Sequence, residues 1–260
     1  MARFDDYEFF RFERAGTVLR MILNRPEKLN AMHTPMRLEL LRAFHDVQAD
    51  EESMVVVMTG AGRGFCAGGD VGDIAGREPS TKRLEVYDHT RRLIEAQLAV
   101  EKPMLAMVNG PASGLGATLA VLCDIVVMAA ETTISDRHVN VGLVAGDGGS
   151  AIWPLLVGVA RAKELLMTGR LIRGDEAARL GLVNHAVPAA ELEAFTMKLA
   201  DELAGMPPYS VRATKLAVNL HLRKAIDAVL DTSVAWEQLS ALRDEHHEAT
   251  SRFLRTPAKR

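Results

Sequence analysis

Three stretches of this chain combine residue types and spacings that could do chemistry. The first is Thr59-Gly-Ala-Gly-Arg-Gly-Phe-Cys-Ala-Gly-Gly-Asp70, with five glycines between residues 60 and 69. The second is Asn109-Gly-Pro-Ala-Ser-Gly-Leu-Gly116, and the third is His138 with Asp147 nine residues on, separated by Gly142 and Gly146. Glycine tolerates φ > 0 and lets backbone come close to a ligand. Amides in a helix's first turn are unpaired and partly positive. Two such loops can therefore offer two N–H groups to one carbonyl oxygen, stabilising an enolate or a tetrahedral oxyanion without an ionisable side chain. The plainer alternative is a wide turn and a helix packed on small residues. A histidine titrates at about 6.5 and can act as acid or base near neutrality. Oriented by Asp147, His138 would form a general-base pair, provided the chain turns back through its glycines. Otherwise His138 packs and Asp147 caps a helix beginning near Gly148.

Short apolar strands and helices must position these residues. Residues 8–14 and 17–23 alternate loosely about Ala15-Gly16 and read as a hairpin. Thr34-Pro35 reads as a cap and first helical residue, followed by Met36, Leu40, Leu41, Phe44 and Val47 on one helical face. Runs 54–58, 103–108 and 124–128 are short and mainly apolar, as buried parallel strands are, and 54–58 is rich in β-branched residues. Helices are expected at 81–99, 114–122, 189–205, 208–222 and 223–247. The reading is an α/β core over residues 1–195 followed by a helical region over 196–260.

Bulk properties exclude several classes. A formal net charge of −3 with no long like-charge block gives nucleic acid no electrostatic footprint. The longest apolar stretch, 119–130, is interrupted by Asp124, so no membrane span is expected. The N-terminal residues lack an apolar signal core, and Cys66 and Cys123 fit no disulfide or metal spacing; a cytoplasmic, reducing location and no bound metal are expected. Cys66 reads as a buried core thiol. No phosphate-loop lysine follows either glycine loop, and Ser113 and Ser150 lie outside a nucleophile elbow. Asp244-Glu-His-His-Glu248 is not a metalloprotease motif and reads as a solvated helix face.

Several segments together resemble the crotonase (enoyl-CoA hydratase/isomerase) superfamily: Asn24-Arg-Pro-Glu-Lys-Leu-Asn-Ala31, Gly64–Asp70, Val108–Gly116, Cys123–Val127, Glu164–Gly169, Ala177–Asn184 and Lys215. The resemblance spans residues 8–255. It implies a spiral of ββα units with a C-terminal helical trimerisation region, assembled as a homotrimer or homohexamer. It implies an acyl-CoA thioester as substrate, with coenzyme A entering as part of it and no separate cofactor. The oxyanion donors would be the amides of Ala67 and Leu115. Arg25, Lys28 and Ala31 would line the nucleotide part of CoA, and Gly68, Gly69 and Asp70 the pantetheine and thioester. For Asp70, a carboxylate capping its own turn is the favoured alternative.

The resemblance also exposes a gap. Hydratases of this family use two glutamates, and those positions are Thr118 and His138 here. Threonine has no useful pKa, so His138 becomes the expected acid/base, with Asp147 as its partner; His89 could reach the pocket but reads as an exposed helix residue. The leading expectation is a hydratase- or isomerase-like enzyme working through an enolate. A His138/Asp147 pair also resembles the branch that hydrolyses β-diketones by carbon–carbon cleavage, so a hydrolase of β-diketones or β-ketoacyl thioesters is the second. A non-catalytic acyl-CoA binder is the third.

Overall fold

The computed structural model describes residues 4–70, 72 and 82–255. Gly16, at φ +58°, turns β1 (Phe10–Ala15) back onto β2 (Val18–Leu23) as an antiparallel hairpin. From β2 the large sheet continues in parallel through β3 (Val55–Gly60), β4 (Met104–Val108), β6 (Ile125–Ala129) and β9 (His185–Val187). Strands β3, β4 and β6 read as apolar runs because both faces are covered. Leu19, Met21, Val56, Met58, Ala106 and Met128 enter the main core, while Val18, Val55, Val57, Leu105 and Val127 form a second cluster with Leu192 and Ala200 of α7 (Leu192–Ala204).

After most large-sheet strands the chain makes a short extended step in a second layer, then a helix. Met32 bridges to Gly69, Cys66 to Ala112, and β5 (Ala112–Ser113) pairs with β7 (Thr133–Ser135), which pairs with β8 (Ile172–Arg173). The helices that follow are α1 (Thr34–Ala49), α2 (Lys82–Ala99), α3 (Leu115–Val121) and α4 (Gly149–Val157), then α5 (Val159–Thr168) and α6 (Gly174–Leu180). This is the expected ββα spiral, and each step from the second layer into a helix makes a loop edge where a ligand can meet backbone. Helix α1 begins at Thr34, so the cap position falls to His33 rather than Thr34. Residue 81, the expected start of α2, lies outside the described residues.

The C-terminal region departs from the sequence reading. One helix, α8 (Pro208–Ser240), joins the helix expected at 208–222 to most of the one expected at 223–247, and α9 (Asp244–Arg255) takes in the last four residues of that window. Nothing between residues 222 and 223 breaks a helix, since neither glycine nor proline occurs there. Helix α8 lies along the core: Arg91 pairs with Asp231 at 2.5 Å, Lys215 with Asp124 at 2.8 Å, and Arg223 donates to Leu98 O at 3.2 Å. The 244–248 run is only partly a solvated face. His246 is buried, with Nδ1 at 2.6 Å from Val141 O. Among the described residues no helix is long and apolar enough to cross a membrane.

Candidate active site

The two glycine loops meet. Asn109 ties them at the sheet edge: its Oδ1 accepts from Gly60 N–H (3.2 Å), and its Nδ2 donates to Gly60 O (2.9 Å) and Gly62 O (3.0 Å). Buried Asn30, held at φ +58°, does the same for the first segment, its Nδ2 donating to the carbonyls of Ala61, Gly64 and Phe65. Farther in, a Cβ on Gly116 would strike Cys66 O, and one on Gly68 would lie 2.6 Å from Ser113 O. Only glycine permits that approach.

Which amides remain for a ligand follows from the pairing. Ala67 N–H donates to Leu29 O at 3.0 Å, so the donor expected at Ala67 is already committed to backbone. Cys66 N–H goes to Pro111 O and Asp70 N–H to Met32 O, while Gly68 N–H faces the Cys66 sulfur. Because Met32 pairs with this loop through Gly68 O and Asp70 N, the Gly69 N–H turns to the opposite side. Leu115 opens α3 behind Gly114, where no side chain caps the helix, and its amide is a first-turn orphan. Gly69 and Leu115 are therefore the amides this geometry leaves for an oxyanion, in place of Ala67 and Leu115.

Arg25 and Asp70 also come together. Arg25 Nη1 lies 2.7 Å from Asp70 Oδ2 and 2.9 Å from Ala31 O, and Asp70 Oδ1 accepts from Gly72 N–H at 2.9 Å. The turn-capping role favoured for Asp70 is present, with an ion pair added to it. Lys28 is exposed at the end of a short 3-10 turn, and Ala31 is buried. Burial pushes the Cys66 thiol up to about 12, which keeps it un-ionised. His89 is half-buried on α2 rather than exposed.

The ionisable cluster stands beside the second loop. A Cβ on Gly114 would lie 3.3 Å from His138 Cε1, so the imidazole sits against the residue preceding Leu115. His138 Nδ1 is 2.6 Å from Asp136 Oδ1, and Nε2 is 3.3 Å from Asp147 Oδ2. Asp147 Oδ1 lies 3.4 Å from Thr118 Oγ1. Asp147 is not a helix cap, since the cap position of α4 is Gly148. Burial disfavours the imidazolium, but the carboxylates of Asp147 and Asp136 outweigh it and hold the ring well above its ordinary 6.5. The two carboxylates therefore favour the protonated form of His138. Carboxylate and imidazole atoms of the three residues fall within 4.8 Å of one another, a spacing that a cation could also bridge. A protonated ring between two carboxylates satisfies the same charges unaided.

Sequence reasoning missed two members. Asp136, 1% exposed, sits two residues before His138, in a stretch to which the sequence reading assigned no element and no role. Glu237 arrives from α8, its carboxyl against the backbone of Gly146. Although the residue keeps some accessible surface, enclosure of its carboxyl pushes it up to about 7; Asp147 and Asp136 add to the rise, and His138 and Arg37 oppose it.

A family model described as Enoyl-CoA hydratase/isomerase matches residues 13–256. The chain belongs to the enoyl-CoA hydratase/isomerase family. It is 36% identical over 226 residues to a probable enoyl-CoA hydratase of Rhodobacter capsulatus, covering 86% of each protein. Identity is 31% over 251 residues to the 2,3-dehydroadipyl-CoA hydratase of Escherichia coli, covering 94% of this chain and 95% of that one. The crystal structure of an enoyl-CoA hydratase/isomerase from Mycobacterium paratuberculosis superposes with a TM-score of 0.88 at 33% identity, over 95% of this chain and 99% of that chain. Within this family fold, the acidic groups of the cluster come from a β7–α4 connection and a C-terminal helix.

Proposed function

We propose that the chain binds an acyl-CoA thioester and catalyses hydration or double-bond isomerisation through an enolate. The Gly69 and Leu115 amides would hold the thioester oxygen where negative charge develops. Glu237 would exchange the proton, because a carboxyl poised near neutrality can both accept and return one. His138, the expected acid/base, would act from its protonated form, as an acid, with Asp136 and Asp147 holding it. Arg25 and Asp70 would keep the 68–70 loop in place beside the pantetheine, and exposed Lys28 is available to CoA phosphates. The chain would work as a homotrimer or homohexamer.

The observation that carries this reading is the contact of His138 with Gly114, which sets the ionisable cluster against the loop bearing the Leu115 amide. A silent acyl-CoA binder has no use for a buried set of three carboxylates around one imidazole. The hydrolase reading keeps one observation in its favour: position 118 carries threonine, so no glutamate from α3 reaches the reacting carbons.

The test is turnover of crotonyl-CoA and a panel of enoyl- and β-ketoacyl-CoAs and β-diketones, read by mass spectrometry. Wild type should convert at least one enoyl-CoA, and Glu237→Gln should lose about 100-fold in kcat. Cleavage of β-dicarbonyl compounds by water, with no enoyl-CoA turned over, would favour the hydrolase. CoA-thioester binding with no conversion of any panel member would defeat both.

A further inference from the structure

We propose that Ser240 is a positioning residue that locks the Glu237 carboxyl against the loop carrying Asp147. The inference rests on the acid–base reading of Glu237 above. Ser240 Oγ donates to Glu237 O at 2.7 Å and accepts from Val144 N–H at 3.1 Å, so one hydroxyl joins the backbone of the acid to the loop. The loop itself is tight: Gly146 N–H donates to Val144 O at 2.8 Å, and Asp147 follows at once. On the other side of Glu237, Ser233 Oγ lies 3.2 Å from Gly146 O. Residues 233, 237 and 240 recur at helical spacing and share one face of α8. Glu237 is thus flanked by two hydroxyl ties to the same three-residue turn.

Ser240 uses both its donor and its acceptor in this bridge, whereas Ser233 divides one proton between Gly146 O and Leu230 O (2.9 Å). The bridge fixes where α8 ends relative to Asp147. The charged groups facing Glu237 are His138, Asp136 and Asp147 from the β7–α4 connection and Arg37 from α1. Small displacements of a positioned acid cost rate far more than binding. Loss of the bridge should therefore lower kcat, leave KM nearly unchanged and return Glu237 toward ordinary carboxyl behaviour.

The experiment compares wild type, Ser240→Ala, Ser240→Thr and Glu237→Gln on whichever acyl-CoA is turned over. It records kcat and KM across pH 5–9 and follows glutamate carboxyl carbons by 13C NMR, with Glu237→Gln assigning the resonance. Ser240→Ala should lose about 10-fold in kcat with KM within about twofold. Its Glu237 titration should move down by about one pH unit. Ser240→Thr, which keeps the hydroxyl, should restore both. If Ser240→Ala matches wild type in kcat and in the Glu237 titration, or if Ser240→Thr behaves like Ser240→Ala, the inference is wrong. The carboxyl titration needs no turnover. If Glu237→Gln proves fully active, the acid–base reading falls, while the titration still decides whether Ser240 positions the carboxyl.

Discussion

Asp147 supplies a carboxylate to position 118 from outside α3, its Oδ1 lying 3.4 Å from Thr118 Oγ1 while its Oδ2 lies 3.3 Å from His138 Nε2. Helix α3 carries no acidic residue, yet its buried face meets a charged group. The threonine hydroxyl and the imidazole share one carboxylate, so Thr118, Asp147 and His138 act as a connected set. In such a set, deleting one member alters the others beyond its own contact.

Asp147→Asn keeps the shape and the Thr118 contact but removes one of the two anions that raise the His138 pKa. The ring should then titrate at lower pH, visible in the 15N resonances of its nitrogens. Turnover at neutral pH should fall by about 100-fold. An unchanged His138 titration in this variant would show that Asp136 alone holds the imidazolium.

Glu237→Gln should trade activity for stability in a pH-dependent way. A carboxyl that titrates at about 7 when folded and at 4.5 when unfolded binds the proton more tightly in the native state. Its contribution is therefore fully favourable below the unfolded value and is lost as pH rises through the folded one. Glutamine has no charge to acquire, so the variant should melt near wild type at pH 5 and above it at pH 8. The full shift corresponds to a gain of about 3 kcal/mol at pH 8. Equal melting temperatures at pH 8 would contradict an enclosed, strained carboxyl.

Gly146→Ala tests the approach of α8 to the site. Its Cβ would press on the Glu237 side chain and lie 2.7 Å from Ser233 O, a backbone atom that cannot swing aside. The helix must shift, at a cost of about 1–3 kcal/mol. Thermal melts should record that loss, and turnover should fall further than the loss of folded protein explains. Wild-type kinetics in this variant would place Glu237 outside the working site.

Strands β3, β4 and β6 were legible because burial on both faces leaves short apolar runs, whereas β9, three residues long and partly exposed, was not. Gly16 and Gly142 marked turns that both form, each with positive φ. The identity of the free amide was not legible. Composition shows a glycine loop, but pairing with Leu29 O and Met32 decides that Gly69, not Ala67, is left over. Asp136 escaped notice because its value comes from folding back on His138, two residues away. Glu237 escaped because it lies on a helix assigned to assembly, far along the chain. Its one local signal was the polar stripe of Ser233, Glu237 and Ser240 on a helix face turned toward the core. The join at 222–223 was missed because two helix-compatible windows carry no statement about whether a break separates them.

The surface away from the site makes the final prediction. Val159 is 60% exposed, Met167 73% and Leu171 53% around α5, with Trp236 at 59% and Leu239 at 58% on α8. Large side chains left open in this number are normally covered, since burying each is worth about 1.5–3 kcal/mol. A trimer or a dimer of trimers would cover them, so sedimentation should give three or six times the 28.4 kDa of one chain. Val159→Glu with Met167→Glu, both exposed on α5, should shift the species toward one chain. Wild type sedimenting as a single chain would mean that these faces serve something other than self-association. Activity measured beside sedimentation then separates two roles of α8. If the dissociated variant keeps its rate, the helix completes the site within one chain, as the ties from Ser233 and Ser240 to residues 144–146 imply. If the rate falls with the mass, neighbouring copies are needed to hold α8 against Gly146.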